Sequence, residues 1–194
     1  MVNLVLLGPP GAGKGTQAER LVRDYDLLHI STGDLLRDAI KAQSPLGRTA
    51  KMAVDEGRLV PDEVVVGLVE ERLTDKESGQ GFILDGFPRT IAQAGALEQL
   101  LESMQVPLDH VILFDIPIRL LEERIAKRAE QTRSAGAQPR TDDSPEVLKK
   151  RIEEFARATA ALSPFYEQNG LLRRVDASKD IERVATQIRD FLQS

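Results

Sequence analysis

A four-residue apolar run, Leu4-Val5-Leu6-Leu7, opens directly into Gly8-Pro9-Pro10-Gly11-Ala12-Gly13-Lys14-Gly15-Thr16, and a helical pattern begins at Gln17-Ala18-Glu19-Arg20-Leu21. Buried strand, glycine-rich turn and helix in immediate succession are the setting in which a P-loop motif becomes a phosphate site. Gly11, Gly13 and Gly15 let consecutive backbone N–H groups point into one concavity that side chains would obstruct. The helix start behind them adds unpaired donors and a partial positive charge. Lys14 adds a full charge where β- and γ-phosphates would lie. A glycine-rich turn alone would be only a turn. With strand, lysine, threonine and helix in place, Gly11, Ala12, Gly13, Lys14, Gly15 and Thr16 are the expected cradle of a nucleoside polyphosphate. Gly15 stands where a common P-loop has Ser or Thr directly after the lysine. Mg²⁺ is therefore expected to be held by the nucleotide and by water, with no direct protein ligand.

Bulk properties narrow the class. A chain of 194 residues can fill one core with a small inserted subdomain, and 41% hydrophobic with 29% charged residues is ordinary for a globular protein. A net charge of −5 offers no broad cationic field, which argues against nucleic acid as a main partner. With no Cys and only His29 and His110, neither a thiol nucleophile nor a zinc site is expected. The strand at the very start predicts no leader peptide, and no apolar run approaches a membrane span. The expectation is a cytoplasmic protein without membrane contact.

Apolar runs alternate with helical patterns. After the first strand come a helix near 14–24, an extended piece at Leu28-His29-Ile30, and helices near 33–42, 47–56 and 61–74. Gly81 to Asp85, His110 to Asp115 and Leu171 to Val175 read as further strands, with helices near 90–103, from about 117, and near 180–192. Strands that are apolar throughout predict a parallel sheet covered on both faces. The fold class is therefore α/β: a P-loop, doubly wound, five-stranded parallel sheet flanked by helices. Residues 31–60 read as a helical insertion, and the polar stretch Ala129 to Pro139 as a loop between helices. Ser144, Pro145 and Glu146 mark the start of the helix that follows.

Asp85 ends an apolar strand, where a P-loop protein keeps a carboxylate facing Mg²⁺ through water; a strand-end turn residue is the alternative. Arg89 follows Gly86-Phe87-Pro88 at the carboxyl edge of the sheet, where ligands bind. Arg124 and Arg128 share a helix face, Arg140 stands beyond the loop, and Arg151 lies two turns into the next helix. Guanidinium groups converging on a transferring phosphoryl group can supply most of the catalysis without a general base. A surface ion pair is the lesser alternative for any one of them, and a far weaker one for all five.

Gly8 to Gln17, Ser31-Thr32-Gly33-Asp34-Leu35-Leu36-Arg37, and Asp85-Gly86-Phe87-Pro88-Arg89-Thr90 with Gln93 after it together resemble the nucleoside monophosphate kinases. The resemblance covers essentially the whole chain and is nearest to the adenylate kinases of the short-lid type. It implies one kinase domain over 1–194, with a monophosphate-binding subdomain at about 31–60 and a short lid at about 127–141. It also implies reversible transfer of the terminal phosphoryl group of Mg·ATP to AMP, giving two ADP, in a monomer. By resemblance, Lys14, Arg89, Arg124, Arg128, Arg140 and Arg151 are the catalytic cations. ATP would lie on Gly11 to Thr16, with Arg128 and with Lys179 contacting adenine through backbone. AMP would be held by Thr32, Arg37, Arg58, Leu59, Val60, Gly86, Phe87, Pro88, Arg89 and Gln93, its phosphate by Arg140 and Arg151.

The resemblance also bears on the base. The UMP and CMP kinases carry Ala where Thr32 stands and Asn where Thr90 stands. A Thr hydroxyl and the Gln93 amide suit an adenine edge, which offers a donor and an acceptor. Eleven residues separate Arg128 from Arg140, too few for a lid that forms its own β-subdomain. Two rivals stay open: a UMP/CMP kinase, and a nucleotide-regulated switch, which the lack of an Asn-Lys-x-Asp motif and the spread of arginines disfavour.

Overall fold

The computed structural model describes residues 2–56, 58–75, 79–134 and 144–193. Five strands, β1 (Asn3–Leu7), β2 (Leu28–Ser31), β3 (Phe82–Asp85), β4 (His110–Asp115) and β5 (Leu172–Asp176), form one sheet. Their order is β2-β3-β1-β4-β5 and every pairing is parallel, as the alternation of apolar runs and helices predicts.

β1 lies at the centre, and all five of its residues are buried. Its side chains alternate between two cores. Leu4 and Leu6, with Ile83, Ile112 and Phe114, pack against α1 (Lys14–Tyr25), α6 (Ile118–Ser134) and α8 (Ile181–Leu192). Val5 and Leu7, with Leu84, Val111 and Leu113, face α2 (Thr32–Lys41), α3 (Pro45–Asp55), α4 (Asp62–Thr74) and α5 (Ile91–Ser103). Burial on both faces explains why the strands read as unbroken apolar runs. The last helix to place, α7 (Pro145–Gln168), serves both cores: Leu148 and Ile152 join the first, Leu162 and Tyr166 the second.

Helix starts follow their capping residues. Ser31, Ser44, Thr90, Ser144 and Asp180 each accept a hydrogen bond from a first-turn backbone N–H. Ser44 with Pro45 behind it starts α3 two residues before the expected 47, because the cap and the fixed proline φ act together there. The insertion between β2 and β3 holds α2 and α3 back to back. Gly47 makes that contact possible, since a Cβ there would overlap the Ala39 carbonyl. Of the expected lid at about 127–141, residues 127–134 continue α6 and the rest lie outside the described residues. Among the described residues no helix is long and apolar enough to cross a membrane.

Candidate active site

The chain leaves β1 toward one edge of the sheet and leaves β4 toward the other, so their carboxyl ends flank the crevice that such a divergence opens. A cleft of about 620 Å³ lies there, floored by the loop after β1. Gly13, at φ 96°, is the N-cap of α1, and no side chain caps that end. The loop also packs tightly: a Cβ on Gly11, itself at φ 83°, would fall 2.9 Å from Ile125 of α6. Arg124 adds a bond from Nη1 to the Ala12 carbonyl at 3.3 Å. Ala12 is buried in the core, so its part in the loop is played by its backbone.

Lys14 is folded onto its own loop. Its Nζ donates to the Gly8 carbonyl at 2.8 Å and the Pro9 carbonyl at 3.2 Å, and lies 3.9 Å from Asp85. Burial pushes its pKa down to about 8. Asp85 opposes this, while Arg89, Arg151 and Arg128 lower it further. The Asp85 carboxyl is also buried, which alone would raise its pKa. Lys14, His29 and Arg89 outweigh that burial and hold it below the usual carboxylate range. His29 Nε2 stands 3.8 Å from the Asp85 carboxylate.

Arg89, Arg124, Arg128 and Arg151 all line this cleft, reached from three different segments of chain. Arg140 lies outside the described residues. Lys179 lines the cleft from the turn after β5, its Nζ 3.5 Å from Asp176.

A second cavity, of about 50 Å³, adjoins the first beneath the helical insertion. Thr32 and Arg37 of α2 form one wall, and the segment Arg58-Leu59-Val60 ahead of α4 forms another. Gly86, Arg89 and Gln93 close it from the sheet side, and Arg151 from α7. Arg37 pairs with Asp34 at 2.5 Å and Arg58 with Glu56 at 2.6 Å. The Thr32 hydroxyl, almost fully buried, donates to the Gly86 carbonyl at 3.1 Å. Arg89 Nε donates to that same carbonyl at 2.8 Å. Phe87 departs from its neighbours and points into the core, while Pro88 lines an adjoining recess of about 60 Å³ with Phe155 and Thr159 of α7, bordered also by Gly86, Arg89 and Arg151. Gly33, Arg37, Gly86, Arg89 and Arg151 border both the cleft and the second cavity.

One residue at this site was not among the expected ones. Asp62, at the start of α4, accepts hydrogen bonds from Gln93 Nε2 at 2.7 Å and from the Thr90 hydroxyl at 2.9 Å. In the sequence, Pro61-Asp62 carries only a helix-start signal, since its partners lie some thirty residues on.

The adenylate kinase family model matches residues 6–171. The chain belongs to the adenylate kinase family. The adenylate kinase of Methylorubrum populi is 48% identical over 191 residues, covering 98% of this chain and 96% of its own. That of Azorhizobium caulinodans is 46% identical over 193 residues, all of both chains, and that of Xanthomonas euvesicatoria 48% over 191, with 98% and 99% covered. The resemblance carried by the P-loop, by Ser31 to Arg37 and by Asp85 to Thr90 is borne out, as are the fold class and the assignment as a phosphotransferase. The adenylate kinase assignment also displaces both rivals, the bare nucleotide switch and the UMP/CMP kinase.

Proposed function

We propose that the larger cleft takes ATP, that the smaller cavity takes AMP, and that the phosphoryl group crosses where the two spaces share Arg89 and Arg151. The observation that carries this reading is that shared border: a cleft of about 620 Å³ and an adjoining cavity of about 50 Å³, with guanidinium groups bordering both. The reaction is reversible transfer of the terminal phosphoryl group of ATP to AMP, giving two ADP. It serves to balance the adenine nucleotides.

In this reading the backbone of Gly11 to Thr16 and the α1 N-terminus bind the donor phosphates. Lys14 swings from the Gly8 and Pro9 carbonyls onto the β- and γ-oxygens, exchanging two neutral acceptors for full charges. Arg124 and Arg128 neutralise the donor side. Arg37, Arg89 and Arg151 hold the acceptor phosphate in line, with Arg140 joining them from the lid at about 127–141. Charge spread over the transferring group meets fixed cations, so no proton need be removed by a base. Lys179 backs the ATP adenine through its main chain.

Asp85 fits a water-mediated contact to Mg²⁺, since its neighbours keep it ionised at the cleft wall and a lone carboxylate suits an ion that retains its waters. Bound with ATP, Mg²⁺ would neutralise phosphate charge and fix the geometry of the transferring group. The subdomain at about 31–60 supplies Thr32, Arg37 and Arg58 to Val60, and Gly86 to Arg89 with Gln93 complete the AMP pocket. The family reading carries with it a monomer. A chain without cysteine that works on ATP fits the cytoplasm.

The test is ADP formation by the purified chain with Mg·ATP and AMP, UMP, CMP or GMP as acceptor. Rapid turnover with AMP and little with the others is expected. Preference for UMP or CMP would overturn the roles of Thr32 and Gln93.

A further inference from the structure

Gln93 is 1% exposed, yet it borders the cavity assigned to the acceptor. Its amide orientation is set by two partners that cannot exchange roles. The Arg89 backbone N–H can only donate, and it reaches Gln93 Oε1 at 2.7 Å. The Asp62 carboxylate can only accept when ionised, and it takes Gln93 Nε2 at 2.7 Å. The second Asp62 oxygen accepts from the Thr90 hydroxyl at 2.9 Å, and Thr90 Oγ1 in turn accepts from the Gln93 N–H at 3.1 Å. Asp62 is therefore held from the α5 side, and Gln93 is held at both its main chain and its amide.

From this geometry we infer that Asp62 is a positioning residue that sets base selectivity by preventing the Gln93 amide from turning over. What remains on that amide is one Nε2 proton and one Oε1 lone pair, in a fixed order. Adenine offers a ring-nitrogen acceptor at N1 beside an amino donor at N6, which matches that order. Hypoxanthine offers the reverse, a carbonyl oxygen at C6 beside an N1–H donor. An amide free to rotate by a half-turn would serve either base equally. In this chain the turned amide would set its NH₂ against the Arg89 N–H and its oxygen against the Asp62 carboxylate. Both contacts would be like against like. Selectivity then comes from what the wrong orientation meets, as much as from what the right one gains.

Asp62 has a second consequence, because it stands two residues after Val60. The segment Arg58 to Val60 forms one wall of the cavity that Gly86 also borders. The bonds from Thr90 and Gln93 to Asp62 tie that wall to the start of α5.

The inference rests on the acceptor reading above, and the experiment separates the two. Steady-state kcat/KM is measured for AMP and IMP with Mg·ATP in the wild type, Asp62→Asn and Asp62→Ala. Wild-type turnover with AMP tests the acceptor reading, and failure there sinks both. Given that turnover, the AMP-to-IMP ratio is expected to fall by about tenfold or more in each variant. The asparagine introduced by Asp62→Asn can turn its own amide to suit either orientation of Gln93, and the alanine of Asp62→Ala opposes neither. The KM for ATP should stay within about threefold, because the P-loop is not touched. A ratio unchanged in both variants overturns the inference. So does loss of folding in both, seen by thermal melting, which would make Asp62 a structural residue only.

Discussion

The spaces proposed for the donor and the acceptor are built by opposite means. The donor half is centred on one contiguous run, residues 8–16, which offers backbone groups with the Lys14 side chain among them, and it is clamped between the central strand and two helices. The acceptor half is assembled from α2, the segment before α4, the turn after β3 and α7, and its working groups are side chains. It is held in shape by side-chain bonds such as Thr32 to Gly86 and Gln93 to Asp62. A backbone cradle inherits the rigidity of the sheet, whereas a side-chain pocket depends on each wall being tethered. Damage to the first half should therefore appear as lost chemistry, and damage to the walls of the second as lost acceptor binding.

Arg89 belongs to both halves, and its replacement should have the largest effect. Arg89→Lys keeps a charge but loses the fork that bonds the Gly86 carbonyl while facing both spaces. A fall in kcat on the order of 10²–10³ is expected, the scale of one lost preorganised donor, with the melting temperature unchanged. Rapid-quench turnover measures it, and retained kcat would place phosphoryl transfer elsewhere. Gly47→Ala tests the acceptor wall alone. Alanine in a helix gains up to about 1 kcal/mol in propensity over glycine. Here the new Cβ meets the backbone of α2, which cannot give way as a side chain would. Overpacking of this kind costs about 1–3 kcal/mol, so the net change should be destabilising, at roughly 2–4 °C per kcal/mol in a chain of this size. KM for AMP should rise while KM for ATP holds. A rise in both would mean that the two halves are not mechanically separate.

The same division governs how much could be read from sequence. β1, the P-loop and α1 lie end to end, so the apolar run, the glycines and the lysine specify each other locally. The expected strand and helix survive almost unchanged. Sheet order was accessible only as a class, because nothing in residues 28–31 states that β2 lies outside β3. Arg37, Arg58, Arg89 and Arg151 were nameable through family resemblance, yet no spacing rule brings positions so far apart around one cavity. Asp62 shows where local reading stops. Its sequence neighbours mark a helix start, and its partners arrive only when α4 and α5 pack together. Phe87 shows the converse: a residue inside a site motif serves the core, because the chain must cross from β3 to α5 through buried space.

The smallest effect concerns protons, and it sharpens the contrast between the halves. Lys14 sits at about 8, below the ordinary 10.5, chiefly because it is buried and further because three arginines face it. An unfolded chain would hold that proton up to about 10.5. Between those values the unfolded state binds more protons than the folded one, so this group's contribution to stability rises with pH. Nucleotide binding runs the other way. Polyphosphate beside Lys14 restores the charged form, so ATP binding must take up a proton once the free lysine has lost it. Affinity should be flat below pH 7 and fall by up to about tenfold per pH unit above pH 8. Calorimetry of ATP binding in two buffers of different ionisation enthalpy should show about half a proton taken up near pH 8 and almost none at pH 6.5. The AMP pocket offers guanidinium groups in place of a lysine, and arginine is charged throughout this pH range as a side-chain class, so proton uptake with AMP at pH 8 should be much smaller. Equal uptake for the two nucleotides would mean that Lys14 serves both phosphates alike, and the line between a backbone half and a side-chain half would then run through Lys14 itself.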